Sequence, residues 1–347
     1  EMCDMVIDHG YYRVVLKVRY QDKDYVIKMM KPKSINEEKS RDILRNIRES
    51  IFLYYIKNEE MEYIKKYGHT FISNNNEKRA FNYVRELGHC VYPVYMSVSP
   101  FYNMTLGRFI EKGHSLDESL LKLMKMALDI AKSVEIMHNI RGGPFTHTDI
   151  TPKQFMIDNN GHVLINDFNR GKYMMYYFSN EYKNDKYMEQ HNIPTNIVVQ
   201  CRYCPHRSRG NYRAPEEHGK QALNEKIDVF SAALVIWAMF SGEHPYPNIK
   251  YNDLPYLYHD TFRRPSMPSN MPFILKDLIR ECITQDPNKR PTATQFREKI
   301  EDILKHIDRY TKNQKDITAK NAAIQQLFRD TNKPQIPQQF LNHEEST

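Results

Sequence analysis

Apolar and polar positions divide the chain into stretches of different period. Residues 11–31, "YYRVVLKVRYQDKDYVIKMMK", hold two β-rich runs around a polar "QDKD", the signature of a hairpin. Beyond Pro32 the period lengthens. From Ile35 to Lys57, the apolar Ile43, Leu44, Ile47, Ile51 and Leu53 recur at mostly three- and four-residue steps, which predicts a helix crossing behind the hairpin. "FNYVRELGHCVYPVYMSVSPF" then reads as strands that lead into a connector at Pro100. The second half is mostly helical. "SLDESLLKLMKMALDIAKSVEIMHNI" keeps a helical stripe through Met137, with Ser115 or Asp117 as its cap, and stops before Gly142 and Gly143. "QFMID" and "HVLIND" follow around Asn-Asn-Gly, a second hairpin. The longest apolar run, Val229 to Gly242, falls short of the roughly 20 residues a membrane span needs, so it is expected as a buried helix. From about residue 311 the chain is polar and rich in Gln and Asn, with "AAIQQLF" as one more helical turn or two.

Length and composition narrow the class. With 347 residues, 40% of them hydrophobic, the chain suits one large two-lobed unit or two modest domains. Its five cysteines (Cys3, Cys90, Cys201, Cys204 and Cys282) are odd in number and mostly far apart, which argues against a disulfide framework and favours a reducing, cytoplasmic setting. Cys201 and Cys204 alone have metal-like spacing; without a second such pair, "CRYCPHR" reads as an ordinary loop. The net charge of +7 is spread among 43 acidic residues and forms no basic stripe, so a soluble chain without a nucleic-acid partner is expected. The charge does suit phosphate-bearing ligands. The first residue is Glu1, which points to a processed start, and the sequon Asn103-Met104-Thr105 matters only in a secreted chain.

Two aspartates sit beside apolar runs: Asp149 in the loop before the first strand of the second hairpin, Asp167 at the end of its second strand. Around them, "HTDITPKQF" resembles the catalytic loop H-R-D-L-x-x-x-N of eukaryotic protein kinases, and "INDFNRG" resembles their D-F-G. The resemblance runs from about Gly10 to Arg290. It implies that Asp149 orients the acceptor hydroxyl and accepts its proton, and that Asp167 holds a magnesium ion bridging the phosphates of ATP. "YVIK" resembles V-A-I-K, so Lys28 is expected to reach the nucleotide phosphates and pair with a helical glutamate. Glu49 fits that role because Leu53 follows one turn later on the same face, although Glu37, Glu38 and Glu59 are near. "YRAPEE" matches A-P-E at Ala214, Pro215 and Glu216. The helix with a buried aspartate is represented by Asp228, and "QDPNKRPT" supplies Arg290 as the partner of Glu216.

Departures from the pattern matter equally. The glycine-rich loop reduces to "GYYRVV", which keeps Gly10 and Val15 as nucleotide contacts but has Arg13, and before it Asp8, where glycines are expected. Glycines let backbone amides approach phosphates closely, so nucleotide binding is expected to be weakened or altered, with Arg13 itself a candidate phosphate contact. Thr148 replaces the arginine beside the catalytic aspartate, which removes the usual reader of a phosphorylated activation segment. Lys153 stands two places after Thr151 and supplies the positive charge expected near the acceptor. Gln154 replaces the second metal-binding asparagine; its carbonyl is a suitable hard donor that projects ~1.5 Å further. Asn169 replaces the glycine of D-F-G and tolerates a left-handed backbone. The fifty residues from Asp167 to Glu216 form a long, Tyr- and Asn-rich segment with Arg209 where a threonine would mark a serine/threonine kinase.

The expected fold is therefore α+β and two-lobed: a small β-rich N-lobe over residues 1–100, a larger helical C-lobe over 101–310, and a polar tail over 311–347. The expected function is ATP-dependent phosphoryl transfer to a protein substrate with Mg2+ or Mn2+, by default to Ser or Thr with Tyr still open. A pseudokinase that acts as a binding module is the rival.

Overall fold

The computed structural model describes residues 5–9, 13–30, 37–68, 71–72, 78–90, 96–141, 143–174, 176–178, 198–200, 210–218, 223–247, 249 and 264–307. Gly10, Cys201, Cys204, Arg209, the tail from 311 and most of the segment between Phe178 and Gly210 lie outside them.

The N-terminal hairpin forms where alternation predicts it. Strands β1 (Met5–His9), β2 (Arg13–Tyr20) and β3 (Lys23–Met30) are antiparallel neighbours, and β2 turns into β3 through Gln21 and Asp22, with φ of 46° and 59°. Two left-handed residues between paired Tyr20 and Lys23 are the geometry that matches strand twist in a two-residue turn. Helix α1 (Glu37–Tyr67) follows, then a short ribbon of β4 (Phe71–Ile72) and β5 (Lys78–Arg79). Strands β6 (Gly88–Cys90) and β7 (Met96–Pro100) complete a five-stranded sheet in the order β1-β2-β3-β7-β6.

Helix α1 runs ten residues past its predicted end at Lys57. Among its described side chains, Glu49, Phe52, Leu53, Ile56 and Glu60 form a buried stripe at helical spacing with a charge at each end, and Ser50 is buried beside it. A count of apolar positions therefore stops early. It also includes Ile51, which in fact faces outward and is 47% exposed.

The C-terminal lobe begins with β8 (Met104–Thr105), α2 (Leu106–Glu111) and α3 (Leu120–His138). The cap of α3 is Ser119, whose Oγ accepts the Lys122 N–H at 3.3 Å, and neither Ser115 nor Asp117. Ser115 lies in an earlier turn closed by the Leu116 N–H on the Gly113 carbonyl at 3.0 Å and Asp117 in the bend that follows, and a cap must stand next to the first helical residue. Strand β9 (Phe145–Thr146) leads to the second hairpin, β10 (Phe155–Ile157) and β11 (Val163–Ile165), as the Asn-Asn-Gly turn predicts. Strand β12 (Lys172–Tyr173) returns to β9, and β13 (Tyr176–Phe178) pairs with β14 (Val198–Gln200).

Helix α4 (Lys226–Ser241) is buried continuously from Ile227 to Phe240 and packs on α3; α5 (Phe273–Cys282) and α6 (Ala293–Lys305) close the lobe around it. A helix apolar all round has to be enclosed on every side. The lobes are joined behind the cleft. Ile165 of β11 donates to the Asn82 carbonyl at 3.0 Å and accepts from the Val84 N–H at 2.8 Å. Phe52 of α1 stacks on Phe145 of β9 at 3.8 Å between centroids and touches Phe168 at 4.8 Å. No helix among the described residues is long and apolar enough to cross a membrane.

Candidate active site

Asp149 is placed by a buried scaffold. After β9 the chain turns sharply, and both carboxylate oxygens of Asp228, on α4, accept backbone N–H groups of that turn: His147 at 2.7 Å and Thr148 at 3.1 Å. His138 lies on the same carboxylate at 3.2 Å. Thr148 takes φ 63°, a strained value for a β-branched residue, and its hydroxyl donates to the Arg170 carbonyl at 3.0 Å. Nε2 of His147 is 3.0 Å from the Asn166 carbonyl, which can only accept, so this nitrogen carries the proton. One aspartate thus fixes the loop that carries another.

Two guanidinium groups reach Asp149. Arg213 donates to Oδ1 and to the Thr148 carbonyl, and also meets Glu217 at 3.3 Å; Arg170 is 3.3 Å from the same Oδ1. The Gln154 amide donates to Oδ2 at 3.4 Å. Lys153, expected as the cation here, lines the cleft rim instead. Its stem lies against α2, where a Cβ at Gly107 would come 3.2 Å from Lys153 Cγ. Burial pushes the Glu217 carboxyl up to about 7, against the pull of Arg213 and the Ala214 N–H.

Between the lobes lies a cleft of about 660 Å³. Val15 and Val26 of the sheet form one wall, Met156 of β10 the opposite one, and the connector from Ser99 to Asn103 the edge. Lys28, Asn166, Asp167 and Arg13 converge at the deep end. Asp167 itself, at φ 64°, makes the left-handed turn that was expected of Asn169; the Asn169 amide instead donates to Asp167 Oδ1 at 2.6 Å.

The pairing of charges differs from the expected one. Lys28 Nζ donates to Asn166 Oδ1 at 3.0 Å, while Glu49 is taken by Arg13, with Nη2 2.5 Å from Oε2. Arg13 Nη1 is also 3.6 Å from Asp167 Oδ1. Glu49 accepts the Phe168 N–H at 3.0 Å, which ties α1 to the turn after Asp167. The alternative, Glu59, points away and accepts the Arg141 N–H at 2.8 Å. Burial raises the Glu49 carboxyl, but the charges of Arg13 and Lys28 and hydrogen bonds from Arg13 and Phe168 outweigh it and hold the group below the usual range. Asp167 goes the other way: burial and the neighbouring Glu49 raise it, against Lys28, Arg13 and His147.

Outside the cleft, Arg290 grips Glu216 with two parallel bonds of 2.6 and 2.8 Å, both partners buried, as the motifs predict. Several participants went unread in the sequence, Arg170 and Glu217 among them. Asn166 had a signal in its place directly before Asp167, and Arg213 in its place directly before Ala214. The buried Arg79, which meets Glu60 at 3.1 Å, had none.

The residues fit a nucleotide with a cation. A carboxylate at a turn and an amide carbonyl are hard oxygen donors, and among the described residues no group of three or more His, Cys, Asp or Glu side chains converges as a self-sufficient metal cage. Such a sparse donor set suits an ion that shares its shell with phosphates and water.

A β-rich lobe and a helical lobe around a cleft that holds a strand lysine and a turn aspartate form the two-lobed α+β fold of a phosphotransferase of the kinase type. The model of the protein kinase domain matches residues 4–300, and the chain belongs to the protein kinase family. It is 31% identical over 188 residues to serine/threonine-protein kinase 12 of Arabidopsis thaliana, covering 53% of this chain and 36% of that protein. Dual specificity protein kinase shkE of Dictyostelium discoideum is 26% identical over 299 residues, 85% of this chain and 35% of that one. A probable inactive serine/threonine-protein kinase of the same organism is 23% identical over 266 residues, 70% of this chain and 20% of the relative. The chain thus spans about a third of the length of the first two relatives. A protein kinase domain is a fold for ATP, a divalent cation and a protein substrate.

Proposed function

We propose that this chain is an active, divergent protein kinase that moves the γ-phosphoryl group of ATP to a hydroxyl of a protein substrate, with Ser or Thr as the default acceptor. The observation that carries the reading is the convergence of Lys28 and Asp167 at the deep end of one cleft, with Asp149 joined to its wall through Gln154. Bound ATP supplies the transferable phosphoryl group, and Mg2+ or Mn2+ neutralises its charge. Lys28 presents its ammonium to the phosphates from a strand. Asp167 and the Gln154 carbonyl offer oxygen to the cation. Asp149 orients the acceptor hydroxyl and takes its proton, once Arg213 and Arg170 leave its Oδ1 accessible. Val15 and Val26 exclude water from one face of the base. We also assign residues 1–100 and 101–310 as the two lobes.

A second reading has a specific motive. Arg213 and Arg170 occupy the carboxylate that the reaction needs, and one relative is named as inactive. A chain locked in this state would bind partners and transfer nothing. The deciding experiment is transfer from radiolabelled ATP to degenerate peptides presenting Ser, Thr or Tyr, in Mg2+ and in Mn2+, with Asp149→Asn as control. Transfer lost by at least a hundredfold in the control is the expected result; no transfer by the parent chain in either metal would leave the binding-module reading.

A further inference from the structure

Arg13 stands on the strand that covers the cleft, two residues before Val15, and strand alternation puts both on the same face. It pairs with Met30 in register, two positions from the Val15–Lys28 pair, so its guanidinium and the lysine's ammonium enter the same cleft. There it finds two carboxylates, Glu49 at 2.5 Å and Asp167 at 3.6 Å. Lys28 donates a hydrogen bond to Asn166. The cluster is neutral only with both cations counted against Glu49 and Asp167. Without Arg13, a buried glutamate and its neighbouring aspartate would share one lysine, and Glu49 would lose its closest ionic partner.

We propose that Arg13 is a positioning residue of the nucleotide site: it holds Glu49, and with it α1, against the cleft, which leaves Lys28 to the phosphates, and it neutralises Asp167 until a divalent cation takes that carboxylate over. The two contacts have different fates. With a divalent cation held by Asp167, the longer 3.6 Å contact through Nη1 would yield to charge repulsion, while the 2.5 Å contact to Glu49 through Nη2 would persist. An arginine in place of a glycine is then a relocation of the helix clamp from the third strand to the second.

The second half of this inference rests on the nucleotide-binding reading above; the first half concerns the ligand-free chain, so the test has two arms. In the first, amide hydrogen exchange of α1 is followed without nucleotide in the parent, Arg13→Lys and Arg13→Met. Faster exchange around Glu49 in Arg13→Met, with Arg13→Lys close to the parent, is expected; equal exchange in all three overturns the clamp. In the second, binding of a fluorescent ATP analogue is titrated with Mg2+. Arg13→Met should bind at least tenfold more weakly, Arg13→Lys should recover most of the loss, and Arg13→Met with Glu49→Gln should be no weaker than Arg13→Met alone. Affinity of Arg13→Met within twofold of the parent overturns the nucleotide half. Should the parent itself bind no analogue, the kinase reading fails, and the exchange arm still decides whether Arg13 holds α1. Where transfer is measurable, the variant should raise KM for ATP more than it lowers kcat, a split that general destabilisation does not produce.

Discussion

Single atoms decide several positions in this molecule. Gly171 has φ −58°, which any residue adopts, so its glycine is needed for room: a Cβ there would lie 1.9 Å from Phe145 Cζ. Gly171→Ala therefore has to move either the ring stacked on Phe52 or the turn that carries Asp167. A loss of roughly 1–3 kcal/mol is expected from such overpacking, measurable in urea melts, together with weaker analogue binding. Gln154 poses a chemical question on the same scale. Its amide N–H₂ donates to Asp149 at 3.4 Å, so its carbonyl oxygen is not the atom turned to Asp149, and the side chain lines the cleft. A longer side chain suits an ion tolerant of irregular geometry better than one that demands a regular octahedron. Transfer in Mn2+ should equal or exceed that in Mg2+; Gln154→Asn should narrow the gap and Gln154→Ala should weaken both. A metal titration of the three chains at saturating ATP checks this, and full rate for Gln154→Ala in both metals would remove the residue from the coordination shell.

At the scale of elements, Glu60 is a heavily committed side chain outside the cleft. One carboxylate accepts from Arg79 at 3.1 Å, Arg85 at 2.7 Å, the Tyr83 hydroxyl at 3.1 Å and the N–H groups of Ala80 and Phe81 at 2.8 and 3.0 Å. It pins the end of α1 to the chain returning from β5. Burial raises the Glu60 carboxyl, but the charge of Arg79 and the hydrogen bonds from Arg85, Phe81 and Ala80 outweigh it, and the group titrates below its ordinary range. A carboxyl held lower in the folded than in the unfolded chain stabilises the fold above about pH 4.5, and that contribution is lost as pH falls through the folded value. Glu60→Gln should cost about 3–5 kcal/mol at pH 7, because it leaves buried arginines without their carboxylate. The gap between variant and parent in urea melts should shrink steadily below pH 4.5; a gap constant with pH would show that ionisation of Glu60 is not what matters. The sequence made little of this cluster legible. Period counting sees apolar residues, so Ile43, Leu44, Ile47 and Leu53 announced the helix while Glu60, on its buried stripe, looked like a solvent-facing charge; Glu49 was singled out only through the motif around Lys28. Strand alternation, Asn-Asn-Gly and the uniformly apolar run of α4 were legible because each reflects a local rule that packing here does not override.

For the whole molecule, the legible part of the site was the part carried by short contiguous motifs: Asp149, Asp167, Glu216 and Arg290 all sit in strings that read on their own. The pairing of side chains across lobes was not legible, since nothing in "GYYRVV" says that Arg13 and Lys28 divide the carboxylates differently from expectation. The Glu216–Arg290 pair holds the A-P-E segment to the helical lobe across 74 positions of sequence. Arg290→Ala should cost about 3–5 kcal/mol, because Glu216 stays buried without its bidentate partner. Equal denaturation midpoints for variant and parent would sink that assignment. Helix α1 bears differently on the relation between the lobes. It is one unbroken rod with Glu60 clamped at one point and Glu49 eleven residues away. At 1.5 Å per residue the two are separated by ~16 Å along the axis. Glu60 is then a fulcrum and Glu49 the tip of a lever: a tilt of roughly 10° about the clamp swings the tip by about 3 Å, more than the whole length of its ion pair with Arg13. A hinge too slight to alter the shape of either lobe is enough to disengage the glutamate from the cleft.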